Sequence, residues 1–142
     1  MAAADLGFSA FTERNQPRYT RYVTARLPVD THVSAAVRST LAHAHRHWDW
    51  LLSRPSLAAD VWEELRYQVS RQADMGPPRD TGIVTLYSRL PESSADSVLL
   101  CRRLGLGIDE AAELMGLEPP AVEAGLSTAR RALPYLDTGR RP

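Results

Sequence analysis

Four residues near the C-terminus, Ser127, Thr128, Arg130 and Arg131, bring two hydroxyls and two guanidiniums within five positions. Such groups donate hydrogen bonds to phosphate oxygens and base edges, arginine through a bidentate fork. Nucleic-acid contact is the chemistry they could do. The plainer alternative for the arginines is solvated charge near a helix C-terminus, where cations complement the helix dipole. A second group is His43, His45 and His47. On a helix His43 and His47 share a face at i, i+4, as a metal-binding pair would, but a site needs a third or fourth ligand and the spacing implies none. Asp49 lies off that face, so the expectation is a solvated surface without a metal. The sequence holds no phosphate-cradling glycine loop, no Gly-x-Ser-x-Gly, no His-Glu-x-x-His and no paired carboxylates in a polar motif. No catalytic residue is assigned, and neither an enzyme activity nor a cofactor is expected. Cys101 is the single cysteine, which excludes an intramolecular disulfide.

The elements that would position the first group follow from periodicity. Ile108, Ala111, Ala112 and Met115 fall at i, i+3, i+4, i+7, and Val122, Leu126, Ala129 and Leu133 at i, i+4, i+7, i+11. Each stretch offers one apolar helical face. Gly116 stands between them, where a positive φ lets the chain leave one helix and turn into the next. Pro119 and Pro120 suit the first turn of the second helix, whose missing amide hydrogens cost nothing there. The pattern is that of a helix-turn-helix, with its second helix at about Pro120 to Leu133. Glu123, Ala124 and Gly125 are expected on the face turned toward a groove.

Upstream, Phe8 to Leu27 reads as one helix or two short ones interrupted at Pro17. Thr31 is expected to cap a helix near His32 to Trp50, with Val33, Val37, Leu41, Ala44 and Trp48 inward. Ser53-Arg54-Pro55 ends it. A further helix runs from about Leu57 to Gln72 with Val61, Leu65 and Val69 inward, and short helices are expected near Ile83 to Leu90 and Ser93 to Leu104. Ala73 to Thr81, with its Met-Gly-Pro-Pro, is the linker candidate. No segment alternates as a strand. The expected fold class is all-α, two small helical bundles of which the C-terminal one contains the helix-turn-helix.

The chain has 142 residues and a 44% apolar share, enough for one domain or two small ones. No stretch approaches the roughly 18 apolar residues of a membrane span, and the N-terminus has no basic or long apolar run of a secretion signal. A cytoplasmic protein without a membrane partner is expected. All seventeen basic residues are arginine, which fits a high-GC coding bias. From Thr85 to Asp137 five arginines face eight acids, so the half that carries the helix-turn-helix has a charge of 5 − 8 = −3. Most DNA-binding modules are basic, because neutralising phosphates supplies the nonspecific affinity.

Leu90-Pro91-Glu92, Val98-Leu99-Leu100, Gly107 to Gly116 and Ala129-Arg130-Arg131-Ala132-Leu133 resemble region four of a bacterial RNA polymerase sigma factor of the extracytoplasmic-function type. Phe8-Ser9-Ala10-Phe11, Tyr19 to Leu27, Arg46-His47-Trp48-Asp49 and Ala58 to Trp62 resemble region two of the same family. The likeness covers about 125 of the 142 residues in the family's order. It implies a region two-like domain at 1–72, a linker at 73–81 and a region four-like domain at 82–137. It also implies a transcription regulator whose partners are core RNA polymerase, an anti-sigma or sigma protein, or promoter DNA, with a homodimer as a further option. Aligned through Arg46-His47-Trp48, the family's polymerase-docking glutamine-acid pair falls on Arg38-Ser39, and Arg38, His45 and Trp48 become candidate polymerase or partner contacts. In region four the family's basic and polar residues after the recognition-helix valine are replaced by Glu123, Ala124 and Gly125. Ser127, Thr128, Arg130 and Arg131 are left as the DNA-contact candidates. The alternative reading is an interaction protein that keeps this fold without binding DNA, a decoy or partner for an anti-sigma or sigma factor.

Overall fold

In the computed structural model, residues 3–72 and 76–134 are described, and among them every regular element is a helix. The order is α1 (Ala3–Arg26), α2 (Asp30–Arg46), α3 (Trp48–Leu52), α4 (Leu57–Gln72), α5 (Thr81–Arg89), α6 (Glu92–Val98), a π-helical turn (Leu99–Arg103), α7 (Ile108–Met115) and α8 (Pro119–Ala132). By their contacts, Met1–Arg79 with Leu114–Gly116 form one compact unit, and Asp80–Glu113 with Leu117–Pro142 form another. None of the described helices is long and apolar enough to cross a membrane.

The first unit is built on aromatic packing. Tyr19, Tyr22 and Val23 of α1 are buried with Val33, Ala36, Val37 and Ala44 of α2 and Val61, Trp62, Leu65 and Val69 of α4. The Tyr22 and Trp62 rings stand 4.5 Å apart between centroids. Burial pushes the Tyr19 phenol far above its ordinary pKa. Three local expectations change. Pro17 does not interrupt α1, because it sits exposed on the outer side, where the carbonyl it leaves unpaired can face water. Thr31 is not the cap of α2; Val29 holds that position without a side-chain cap, and the first turn begins at Asp30. The helix expected to run on to Trp50 breaks at His47, whose φ of −111° and ψ of 20° start the separate α3.

In the second unit, Asp80 caps α5 by accepting a hydrogen bond from the Gly82 amide at 2.7 Å. The expected linker contributes Gly76 to Pro78 as non-helical chain, while residues 73–75 lie outside the described residues, as do 135–137 at the end of the expected region four-like domain. Leu90-Pro91 separates α5 from α6, since proline cannot donate to a continuing helix. The helix expected at Ser93 to Leu104 is α6 followed by a π turn, closed by Leu104 N–H to the Leu99 carbonyl at 3.0 Å.

Candidate nucleic-acid and partner interface

The helix-turn-helix is built by local devices at each end of α7. Glu110, in its first turn, reaches back to the Gly107 amide at 3.0 Å, half of a capping box. At the other end Gly116 takes a φ of +73°, and the Leu117 amide donates to the Ala112 carbonyl at 2.9 Å. That is the six-to-one bond of a Schellman turn, for which glycine carries no side-chain penalty. Pro119 and Pro120 open α8. Ala111, Ala112 and Met115 are buried and Ile108 is half-buried, while Val122, Leu126, Ala129 and Leu133 are all buried.

That phase fixes what α8 turns outward. Glu123 and Ala124 are exposed, but Gly125 is not part of the same face. A Cβ built on Gly125 would stand 2.9 Å from the Ser97 hydroxyl oxygen, 3.3 Å from Ser97 Cβ and 3.5 Å from Ser94 Cα. The expectation that Gly125 faces a groove is therefore corrected. It is a point of close approach between α8 and α6, where Ser94, Ala95 and Ser97 are small and buried. Ser97 in turn donates to the Ser93 carbonyl at 3.0 Å.

The four sequence-assigned donors form two pairs along α8. Arg130 Nη2 donates to the Ser127 hydroxyl at 2.9 Å, and Arg131 Nη2 to the Thr128 hydroxyl at 3.4 Å. Ser127, Thr128 and Arg130 are half-buried and Arg131 is exposed. Opposed to them on α7, the turn and α8 are Asp109, Glu110, Glu113, Glu118 and Glu123, all exposed. Arg103 is engaged elsewhere in this unit: it pairs with Asp80, over the small Gly82. Partial burial pushes the Asp80 carboxyl up, but the Gly82 amide and the Arg103 guanidinium outweigh it and hold the pKa below its ordinary value.

In the first unit, Arg38 and His45 are exposed on α2, whereas Trp48 is 7% exposed. Phe8 stacks on His45 at 4.6 Å and meets Trp48 edge-on at 5.3 Å, and Phe11 lies 5.4 Å from Trp48. The three candidates thus do not share one surface, since Trp48 anchors α1 to α3 from inside. The tryptophan on the surface is Trp50, 55% exposed beside the equally exposed Leu52. The Arg54 guanidinium covers its ring at 4.9 Å and donates to Asp60 Oδ2 at 2.9 Å. The signal was present in the spacing: residues 48 and 50 are about 200° apart on a helix, so burying one exposes the other. Cys101 is half-buried, and burial pushes its thiol up, away from the reactive thiolate.

Neither a family model nor a curated protein matches the chain. A solved structure does, that of CnrH in complex with the cytosolic domain of CnrY. The chain shares the fold of CnrH. The two superpose with a TM-score of 0.60 over 96% of this chain and 91% of the other, at 21% sequence identity. At that identity the likeness establishes architecture, and CnrH was solved with a protein partner bound.

Proposed function

We infer that this chain is a sigma-factor-like regulator of transcription that works through a protein partner more than through DNA. The observation that carries the class is the family's segment order over about 125 residues, on a fold shared with CnrH along 96% of the chain. Fold alone does not assign function, so the working surface decides the mechanism. On α8 the outward positions are Glu123 and Ala124, and Gly125 is spent on helix packing. An acid turned toward phosphates opposes DNA, and each missing bidentate base contact removes about 1–3 kcal/mol of discrimination. The complex of CnrH with the cytosolic domain of CnrY supports a protein as the ligand, and the family likeness makes an anti-sigma protein or core polymerase the candidate. Arg38 and His45 are the α2 side chains offered to it.

Binding of the full chain to random duplex DNA, to core RNA polymerase and to an anti-sigma domain, each over a salt series, tests this reading. Weak DNA binding with a log-log salt slope shallower than about −4 is expected, together with a measurable protein complex. Tight DNA binding at physiological salt with a steeper slope would make the chain a direct promoter binder. Binding to neither polymerase nor an anti-sigma domain would remove it from the sigma class.

A further inference from the structure

On α8 the side turned away from the core carries a charge pattern that the helix itself does not use. Pro120, Glu123, Ala124, Ser127 and Arg131 follow one another as i, i+3, i+4, i+7 and i+11, and at 100° per residue they lie about 100° to 200° from the buried Val122. Pro120, Glu123, Ala124 and Arg131 are exposed and Ser127 is half-buried. The acid and the arginine stand about 12 Å apart along the axis, too far for an ion pair within the helix. Among the described residues neither is in an ion pair, and Arg131 donates to the Thr128 hydroxyl instead. The helix dipole favours an acid early and a cation late. It does not require both to share the outward side with only small side chains between them.

We propose that this side of α8 is a contact between two copies of the chain, packed antiparallel about a twofold axis at Ser127. A twofold interface must be self-complementary, because the same patch serves both copies. Position 123 lies four residues before Ser127 and position 131 four residues after it. Antiparallel pairing therefore sets Glu123 opposite the partner's Arg131 and Arg131 opposite the partner's Glu123. Parallel pairing would set each charge against its own copy, which is unfavourable. Ala124 and Ser127, between the charges, are small enough to let two helix axes approach to about 8 Å. A single helix strip buries less than the about 1,200 Å² of a standard interface, so the dimer is weak and salt-sensitive. It covers the side of α8 that would enter a DNA groove, and so competes with duplex DNA for this helix. Neither Arg38 nor His45 takes part, so the dimer and the protein contact offered by α2 stand or fall separately.

Sedimentation velocity of the full chain over a concentration series, at low and at high salt, tests the contact. Expected is an equilibrium of monomer and dimer that shifts toward monomer as salt is raised. Glu123→Arg and Arg131→Glu each set like charges opposite one another and should weaken the dimer at least about tenfold. The combined Glu123→Arg/Arg131→Glu variant exchanges the charges and should return the dimer to near wild-type strength. Glu63→Arg, the same charge change at an exposed position of α4, should leave it as it was. All three positions are exposed, so helical circular dichroism should be unchanged in each variant. A chain that stays monomeric at every concentration and salt overturns the proposal, as does a dimer that the single reversals leave intact. A charge exchange that fails to restore the dimer in a folded protein overturns it too.

Discussion

Gly125 of α8 lies against Ser97 of α6 so closely that a Cβ at 125 would stand 2.9 Å from the serine hydroxyl. Two effects of substitution oppose each other. Replacing a mid-helix glycine by alanine gains about 1 kcal/mol of helix propensity. The new methyl also displaces a hydroxyl that holds the Ser93 carbonyl, in a contact with no spare volume. Overpacking of this kind costs about 1–3 kcal/mol. Gly125→Ala is therefore expected to be slightly destabilising, and Gly125→Leu to lose about 2–3 kcal/mol. Ser97→Ala removes the 2.9 Å obstacle, so the Ser97→Ala/Gly125→Ala double variant should be more stable than the sum of the singles. A double-mutant cycle by denaturant unfolding measures this. Strict additivity would place Gly125 outside the α6–α8 contact.

The Asp80–Arg103 pair gives the second unit an acid-sensitive element. A carboxylate whose folded pKa is depressed contributes stability that is fully present above its unfolded value and is lost as pH falls through the folded value. For Asp80 the loss begins as pH drops past the ordinary 3.8 and continues below it. Asp80→Asn keeps a side chain able to cap α5 and removes only the charge, at about 0.2–1 kcal/mol at neutral pH for an exposed pair. Asp80→Ala loses the cap as well, about 1 kcal/mol more. Stability measured at pH 7 and again in acid should show the wild-type advantage over Asp80→Asn shrinking. A difference that stays constant in acid would mean the pair does not titrate with folding.

Trp48 and Trp50 should behave as opposites. Trp48 is enclosed by Phe8 and Phe11, and Trp48→Ala is expected to cost about 3–5 kcal/mol. Trp50, whose main partner is the Arg54 guanidinium, should cost about 1 kcal/mol or less when replaced by alanine. Acrylamide quenching separates them independently: Trp50→Phe removes most of the accessible fluorescence, and Trp48→Phe does not. Equal quenching loss in both variants would contradict the packing of α1 on α3.

These contrasts mark how far the sequence could be read. The buried face of α8 was legible because Val122, Leu126, Ala129 and Leu133 repeat at helical spacing, and the Gly116 turn because its backbone conformation selects glycine. The packing role of Gly125 is not legible from composition, because glycine carries no hydropathy signal. At 100° per residue it lies only about 60° from Val122 and so at the edge of the buried stripe, which geometry alone would have shown. The break at His47 and the π turn at Leu99–Arg103 carry no glycine or proline to signal them in the sequence. The Trp50–Arg54–Asp60 corner needed positions that only the fold brings together.

The corrected phase of α8 reshapes the experiment that would give this helix a DNA-reading surface. Positions 123 and 124 lie about 100° and 200° from Val122, well away from the buried stripe, so Glu123→Lys with Ala124→Ser should fold as the wild type does. The pair reverses one charge and adds one hydroxyl donor next to the turn that holds Ser127 and Arg130. Each new phosphate contact should strengthen duplex binding and steepen the log-log salt slope by about one. Adding Gly125→Arg, as the family's pattern would suggest, is expected to undo the gain, because its side chain must enter the space occupied by Ser94 and Ser97. Fluorescence anisotropy on a labelled duplex at several salt concentrations, alongside thermal unfolding, distinguishes the two. If the double variant is folded and binds no better than wild type, Glu123 is not what keeps this helix from DNA. If the triple variant is as stable as the double, the close approach of α8 to α6 is absent in solution.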